Sequence, residues 1–172
     1  MSNFREFLLK TPFYKYFHEK AGGAFYGERN IGQYTFAKYK VAWKRMANDL
    51  QSVVISQFKT SFGEYKLLLP FETTAFISTQ TEAEAHYFCA IINSNPVRDF
   101  IKSFSSAGRG FAAPSVMEHI AIPKFDPKNK VHQQLSDLSQ KCHELKKGEK
   151  LEDIVELEKR NDGIVRKLFC ID

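Results

Sequence analysis

Long apolar runs are missing from this chain. No stretch approaches the roughly 20 apolar residues that cross a bilayer, and no apolar secretory core follows Met1. Those two absences predict a cytoplasmic protein. Cysteine is scarce as well: Cys89, Cys142 and Cys170 are odd in number, far apart and without Cys-x-x-Cys spacing. Neither a disulfide framework nor a thiolate metal site is predicted, and the thiols read as free in a reducing compartment. The five histidines, His18, His86, His119, His132 and His143, include no pair at the helical spacing of a metal site. Glycine never occurs as G-x-x-x-x-G-K-[ST] or G-x-G-x-x-G, so no phosphate-cradling loop is expected. Ser105, Ser106 and Ser115 lack a nucleophile elbow.

Acid is absent over one informative stretch. From Gln33 to Asn48 there is no Asp or Glu, while Lys38, Lys40, Lys44 and Arg45 stand among Tyr34, Phe36, Tyr39 and Trp43. Across the whole chain the excess is mild, a formal +5 with a pI near 9.0. Charge of this kind suits phosphates, and the rings suit sugar or base faces. Trp43 alone reads as a core residue. A second cationic group follows at Arg98, Lys102 and Arg109, with the hydroxyls of Ser105 and Ser106 between them.

What the chain does possess is enough to fold. It has 172 residues, 43% of them hydrophobic, with 16 Phe and 7 Tyr, which excludes a disordered chain and allows a sizeable core. Residues 1–23 read as an N-terminal helical segment, split where Thr11 caps and Pro12 takes the first helical position. Residues 24–128 read as an α+β domain, and 129–172 as an antiparallel helical hairpin. Within the middle domain, Tyr39–Met46 alternates apolar and charged residues, which predicts a half-exposed strand. Gln51–Phe58, Lys66–Phe71 and Thr74–Ser78 add three more strands around a polar turn at Ser61-Phe62-Gly63, in a mainly antiparallel twisted sheet. A helix from Thr81 must stop before Pro96, a second runs from Pro96 to about Phe104, and Ile120–Pro123 reads as a short edge strand. In the hairpin, Val131, Leu135, Leu138, Cys142 and Leu145 form one narrow seam. Ile154, Leu157, Asn161, Ile164 and Leu168 form the other, with Asn161 as a register-fixing polar residue.

Several of these runs together resemble a known family. Ile31-Gly32-Gln33-Tyr34-Thr35-Phe36-Ala37-Lys38-Tyr39-Lys40-Val41-Ala42-Trp43 resembles the start of the target-recognition domain of adenine-specific DNA methyltransferases of restriction-modification systems, where a similar Y-T-F-A-P-Y-K-V-x-W occurs. Lys38 stands where that pattern has proline. Ala90-Ile91-Ile92-Asn93-Ser94, Gly108-Arg109-Gly110-Phe111, Pro114-Ser115-Val116 and Ile120–Phe125 are similar to the family's closing segment, and Ile164-Val165-x-x-Leu168-Phe169 to its final helix. The resemblance covers nearly everything from residue 30 onward.

It implies an α+β specificity domain, as in type I specificity subunits and type IIG-like fused enzymes, that reads double-stranded DNA for a methyltransferase or restriction catalytic domain or subunit. Lys38, Lys40, Lys44, Arg45 and Lys102 would contact phosphates and the loop through Ser105, Ser106 and Arg109 the base edges, with Tyr39 and Arg98 completing the DNA-binding set. The family's Asn-Pro-Pro-aromatic methylation site is not matched by Asn95-Pro96-Val97, and its cofactor-binding glycines lie in a preceding domain. S-adenosylmethionine is therefore expected only in the catalytic partner, with no cofactor, metal or catalytic residue here. Two alternatives belong to other classes. One is an interaction module that assembles, as a dimer or with a partner, through its C-terminal helices. The other is a small magnesium nuclease built on Asp49, Glu64 and Lys66.

Overall fold

The computed structural model describes residues 4–20, 22, 31–71, 73–104, 108–109, 111–148 and 152–171. The chain divides into two compact units, Met1–Tyr34 and Thr35–Asp172. In the first, α1 (Arg5–Leu9) is followed by α2 (Pro12–Tyr14), which continues as a π-helical turn over Lys15–Glu19. Thr11 caps as expected: its side chain accepts from the Tyr14 backbone N–H, and proline sits where the helix needs no N–H.

The second unit is α+β. Its sheet has three antiparallel strands in the order β3-β1-β6, with β1 Tyr39–Lys44, β3 Ser52–Ile55 and β6 Thr74–Thr79. Register is set by Val41, which lies opposite Val54 on one side and Ile77 on the other. Strand β1 is thus central, and Lys40, Val41, Ala42 and Trp43 are all buried. A half-exposed strand was expected; flanking strands and packing on both faces remove it from water, although its charged alternation suggested otherwise. Two short ladders complete the strands. β2 (Met46–Ala47) pairs with β7 (Gly108–Arg109), and β4 (Gln57–Lys59) pairs with β5 (Tyr65–Leu67). The expected strand over Gln51–Phe58 is therefore two strands, serving two different sheets.

Helix α3 (Glu82–Ile92) is the hub. Thr81 caps it by accepting from the Glu84 N–H, and Glu82 and Glu84 occupy the first turn, where the helix dipole favours acids. Its Ala85, His86, Tyr87, Cys89, Ala90, Ile91 and Ile92 are all buried. A helix apolar nearly all round needs cover on every side. The sheet supplies one side, through Val41 and Trp43, and the C-terminal helices the other.

Those helices are α6 (Lys130–Lys147) and α7 (Glu152–Leu168). Their seams were expected to close mainly on each other beyond the globular part. Instead α6 packs chiefly along α3, and Leu135 and Val165 join the common core. Asn161 is buried, but its Nδ2 donates to the Ala90 carbonyl at 2.8 Å. Near the end of α3 the Asn93 N–H takes the Cys89 carbonyl and the Ser94 N–H takes that of Ile91, so Asn161 serves a carbonyl between them. The seam polar residue ties α7 to α3 rather than setting hairpin register. The stretch connecting the two helices at 149–151 lies outside the described residues.

Helix α4 (Asn95–Phe104) begins where predicted, with the Asn95 N–H and Nδ2 bonded to the Asp162 carboxylate at 2.8 and 2.6 Å. After α5 (Pro114–Met117) a 3-10 turn ends at Ala121, whose φ of 50° is left-handed. That reversal replaces the edge strand expected at Ile120–Pro123. The Pro123 carbonyl is held by the Tyr87 hydroxyl at 3.0 Å instead of by a ladder. Among the described residues no helix is long and apolar enough to cross a membrane.

Candidate nucleic-acid interface

The two cationic segments, more than fifty residues apart in the chain, meet at the exit of β1. Lys44 and Arg45 are exposed there, and the Arg45 N–H is fixed to the Thr73 carbonyl at 2.9 Å. One residue later, β2 pairs with β7 so that Met46 lies opposite Arg109 and Ala47 opposite Gly108. The far end of the basic loop is anchored by its own sequence: Phe111 and Ala112 are buried in the core, and the Trp43 indole N–H donates to the Ala112 carbonyl at 2.8 Å. Trp43 is thus a core residue, as read from the sequence, and it also pins the loop. Ser105 and Ser106 lie outside the described residues, and of Arg109 only the backbone is described.

Asp49 organises the α4 side of this face. Arg98 donates to its carboxylate through both Nε, at 3.2 Å, and a terminal nitrogen, while Lys102 Nζ reaches it at 3.1 Å. Arg98 and Lys102 are one helical turn apart and share a face. Burial pushes the Asp49 carboxyl up, but hydrogen bonds and charge from Arg98 and Lys102 outweigh it and hold the group below the usual carboxylate range. The triad carries two cations against one anion. Asp49 and Arg98 line an open cleft of ≈ 700 Å³ together with Lys44, Gln51, Lys146 and the acid Glu158. In sequence Asp49 reads only as a nuclease acid; no local pattern links it to cations some fifty residues away.

Lys40 is a correction. It was expected among the phosphate contacts, yet it is fully buried, and its Nζ donates to the carbonyls of Ala37 at 2.5 Å and Leu68 at 3.2 Å. Burial lowers its pKa from the ordinary lysine value. An ammonium bound to two carbonyls inside the fold cannot also reach a phosphate; Lys40 is a strut. Lys38, by contrast, is exposed, with its Nζ 5.0 Å from the centre of the half-buried Tyr39 ring.

The acids of the nuclease reading are otherwise engaged. Asp49 holds the two cations, and Glu64 pairs with Lys66 at 3.5 Å on the exposed β4–β5 hairpin. Among the described residues no group of three or more His, Cys, Asp or Glu is arranged to hold a metal. A polar cluster does lie beneath α3, but it is built into the packing. His86 Nδ1 is 3.1 Å from Ser139 Oγ, and His143 stands edge-on to His86 with ring centres 5.0 Å apart. The Val54 N–H donates to His143 Nε2 at 3.2 Å, which assigns the proton to Nδ1, bonded to the Ser139 carbonyl at 2.8 Å. This cluster knits β3, α3 and α6 together. Compared with protein-family models and with curated sequences, the chain matches none.

Proposed function

We propose that this chain recognises duplex DNA as the specificity domain of a restriction-modification adenine methyltransferase, with chemistry and S-adenosylmethionine supplied by a catalytic partner. The observation that carries the reading is the convergence of the two cationic segments through the β2–β7 ladder beside the Asp49–Arg98–Lys102 cluster. Convergence of this kind makes one positive face from residues that are remote in sequence, and phosphate contacts require such a face. The sequence likeness to target-recognition domains supports the same reading. In it, Lys38, Lys44, Arg45, Arg98 and Lys102 serve the backbone, and the loop through Ser105, Ser106 and Arg109 serves the bases. Assembly through the C-terminal seams is less favoured, because Leu135, Leu138 and Val165 are already buried within the chain.

Anisotropy of a short labelled duplex, titrated with the wild type, Arg98→Ala and Asp49→Asn, tests the proposal. Arg98→Ala should weaken binding and reduce the slope of log affinity against log salt by about 0.9, the value for one phosphate contact. Asp49→Asn removes the one anion of the triad and should tighten binding at low salt. Identical curves for all three proteins would remove this face from the interface.

A further inference from the structure

The β4–β5 hairpin carries no cation that the reading above uses, yet it is among the most exposed parts of the second unit. Its register places Phe58 opposite Lys66 and Lys59 opposite Tyr65. Thr60 closes the loop twice, with the Gly63 N–H donating to its carbonyl at 3.0 Å and its own N–H donating to the Glu64 carbonyl at 2.8 Å. Gly63 takes the left-handed φ of 84° that a hairpin loop of this size requires, with open space around it. The loop lifts Phe62 to the tip, where it is 91% exposed; Tyr65 is 65% and Phe58 45% exposed. Water is on both faces, since residues 57–59 and 64–66 are all exposed. An isolated two-stranded ribbon is marginal in water, and large exposed rings mark a contact surface.

We infer that this ribbon, residues 56–68, is a DNA-reading arm that enters the major groove, with Lys59 and Lys66 on the flanking phosphates and Phe62 against the bases. The inference rests on the duplex-binding reading above. Three observations select this occupant. The first is size: paired strands lie about 4.8 Å apart, so a ribbon with its side chains fits the major groove of about 12 Å and not the minor groove of about 6 Å. The second is charge: each face couples a lysine to a ring, and the one acid on the arm, Glu64, is already paired with Lys66 at 3.5 Å in an exposed ion pair, a link that a phosphate readily replaces. The third is continuity: the buried Lys40 ammonium bonds the arm's foot at the Leu68 carbonyl to the Ala37 carbonyl, beside exposed Lys38. Lys40 therefore holds the arm next to the cationic start of β1.

Wild type, Phe62→Ala and the double variant Lys59→Ala/Lys66→Ala are compared in the same duplex titration, with unfolding curves confirming that these exposed changes leave the fold intact. Loss of the ring's apolar contact with the base edges, such as a thymine methyl, should weaken binding roughly tenfold without changing the salt slope. Loss of both lysines should reduce the slope by about 1.8. Dimethyl sulfate footprinting should show guanine N7 protected in the wild-type complex and less so with Phe62→Ala. If the wild type binds duplex and the variants bind equally well, the arm does not contact DNA and the inference falls while the DNA reading stands. Protection of adenine N3 alone overturns the groove assignment. If the wild type does not bind duplex, both fall.

Discussion

Acidification should destabilise this fold through one histidine. His86 is only 5% exposed, and its pKa is lowered to about 4, chiefly by burial, with the charge of Lys147 adding to it. In the unfolded chain the same imidazole takes its proton near its ordinary value of 6.5. Between those two values the unfolded state binds a proton that the folded state refuses, so stability falls as pH drops through this window and is complete above it. A shift from 6.5 to about 4, at about 1.4 kcal/mol per unit, corresponds to about 3 kcal/mol, a large part of the total stability of a typical domain. The comparison is urea unfolding of the wild type and His86→Gln from pH 7.5 to pH 4; the amide keeps a partner for Ser139 Oγ but does not titrate. With a urea slope of about 2 kcal/mol/M, the wild-type midpoint should fall by about 1.5 M more than that of the variant. Parallel midpoint curves for the two proteins would refute the reasoning.

Two further changes probe the struts around the hub. Lys40→Met removes a buried ammonium and leaves the carbonyls of Ala37 and Leu68 without its donation, at about 1–3 kcal/mol for each group left unmet, offset in part by removal of the buried charge. Amide exchange at Gln57–Leu67 should accelerate while exchange in α3 holds, and equal protection in both proteins would show that Lys40 is not the tether. Asn161→Ala strips the donor from the Ala90 carbonyl and should cost about 1–3 kcal/mol in thermal or urea unfolding. An unchanged midpoint would return Asn161 to a passive place in the seam.

The helices were legible because their signals are local. Thr11 and Thr81 each cap a helix through a bond to a backbone N–H, and Pro12 and Pro96 mark helix starts. Partnership was not legible. The seams of α6 and α7 were plain in spacing, but spacing does not say that α3, buried all round, will claim them. Lys40 shows the same limit from the other side. Alternation put a lysine on a strand face, and only the tertiary contact between Leu68 and Ala37 through that lysine turns it from a surface charge into a buried brace. Asp49 and the cations of α4 are a long-range triad with no local pattern. The β4–β5 arm is read in sequence as two sheet strands around a polar turn, and its exposed rings, Phe58, Phe62 and Tyr65, look there like core residues, not like a separate exposed ribbon. The edge strand at Ile120–Pro123 failed because Ala121 takes a left-handed turn that no glycine or asparagine announces.

The central proposal is that this chain holds duplex DNA through phosphate charge. The most direct measurement is the affinity of the wild-type protein for a short duplex across a series of salt concentrations. With Lys38, Lys44, Arg45, Arg98 and Lys102 on the backbone, log affinity should fall linearly with log salt at a slope of about −4.5, or about −6.3 with Lys59 and Lys66 of the arm also on phosphates, from about 0.9 for each contact. Binding that does not respond to salt, or no binding at low salt, would contradict it.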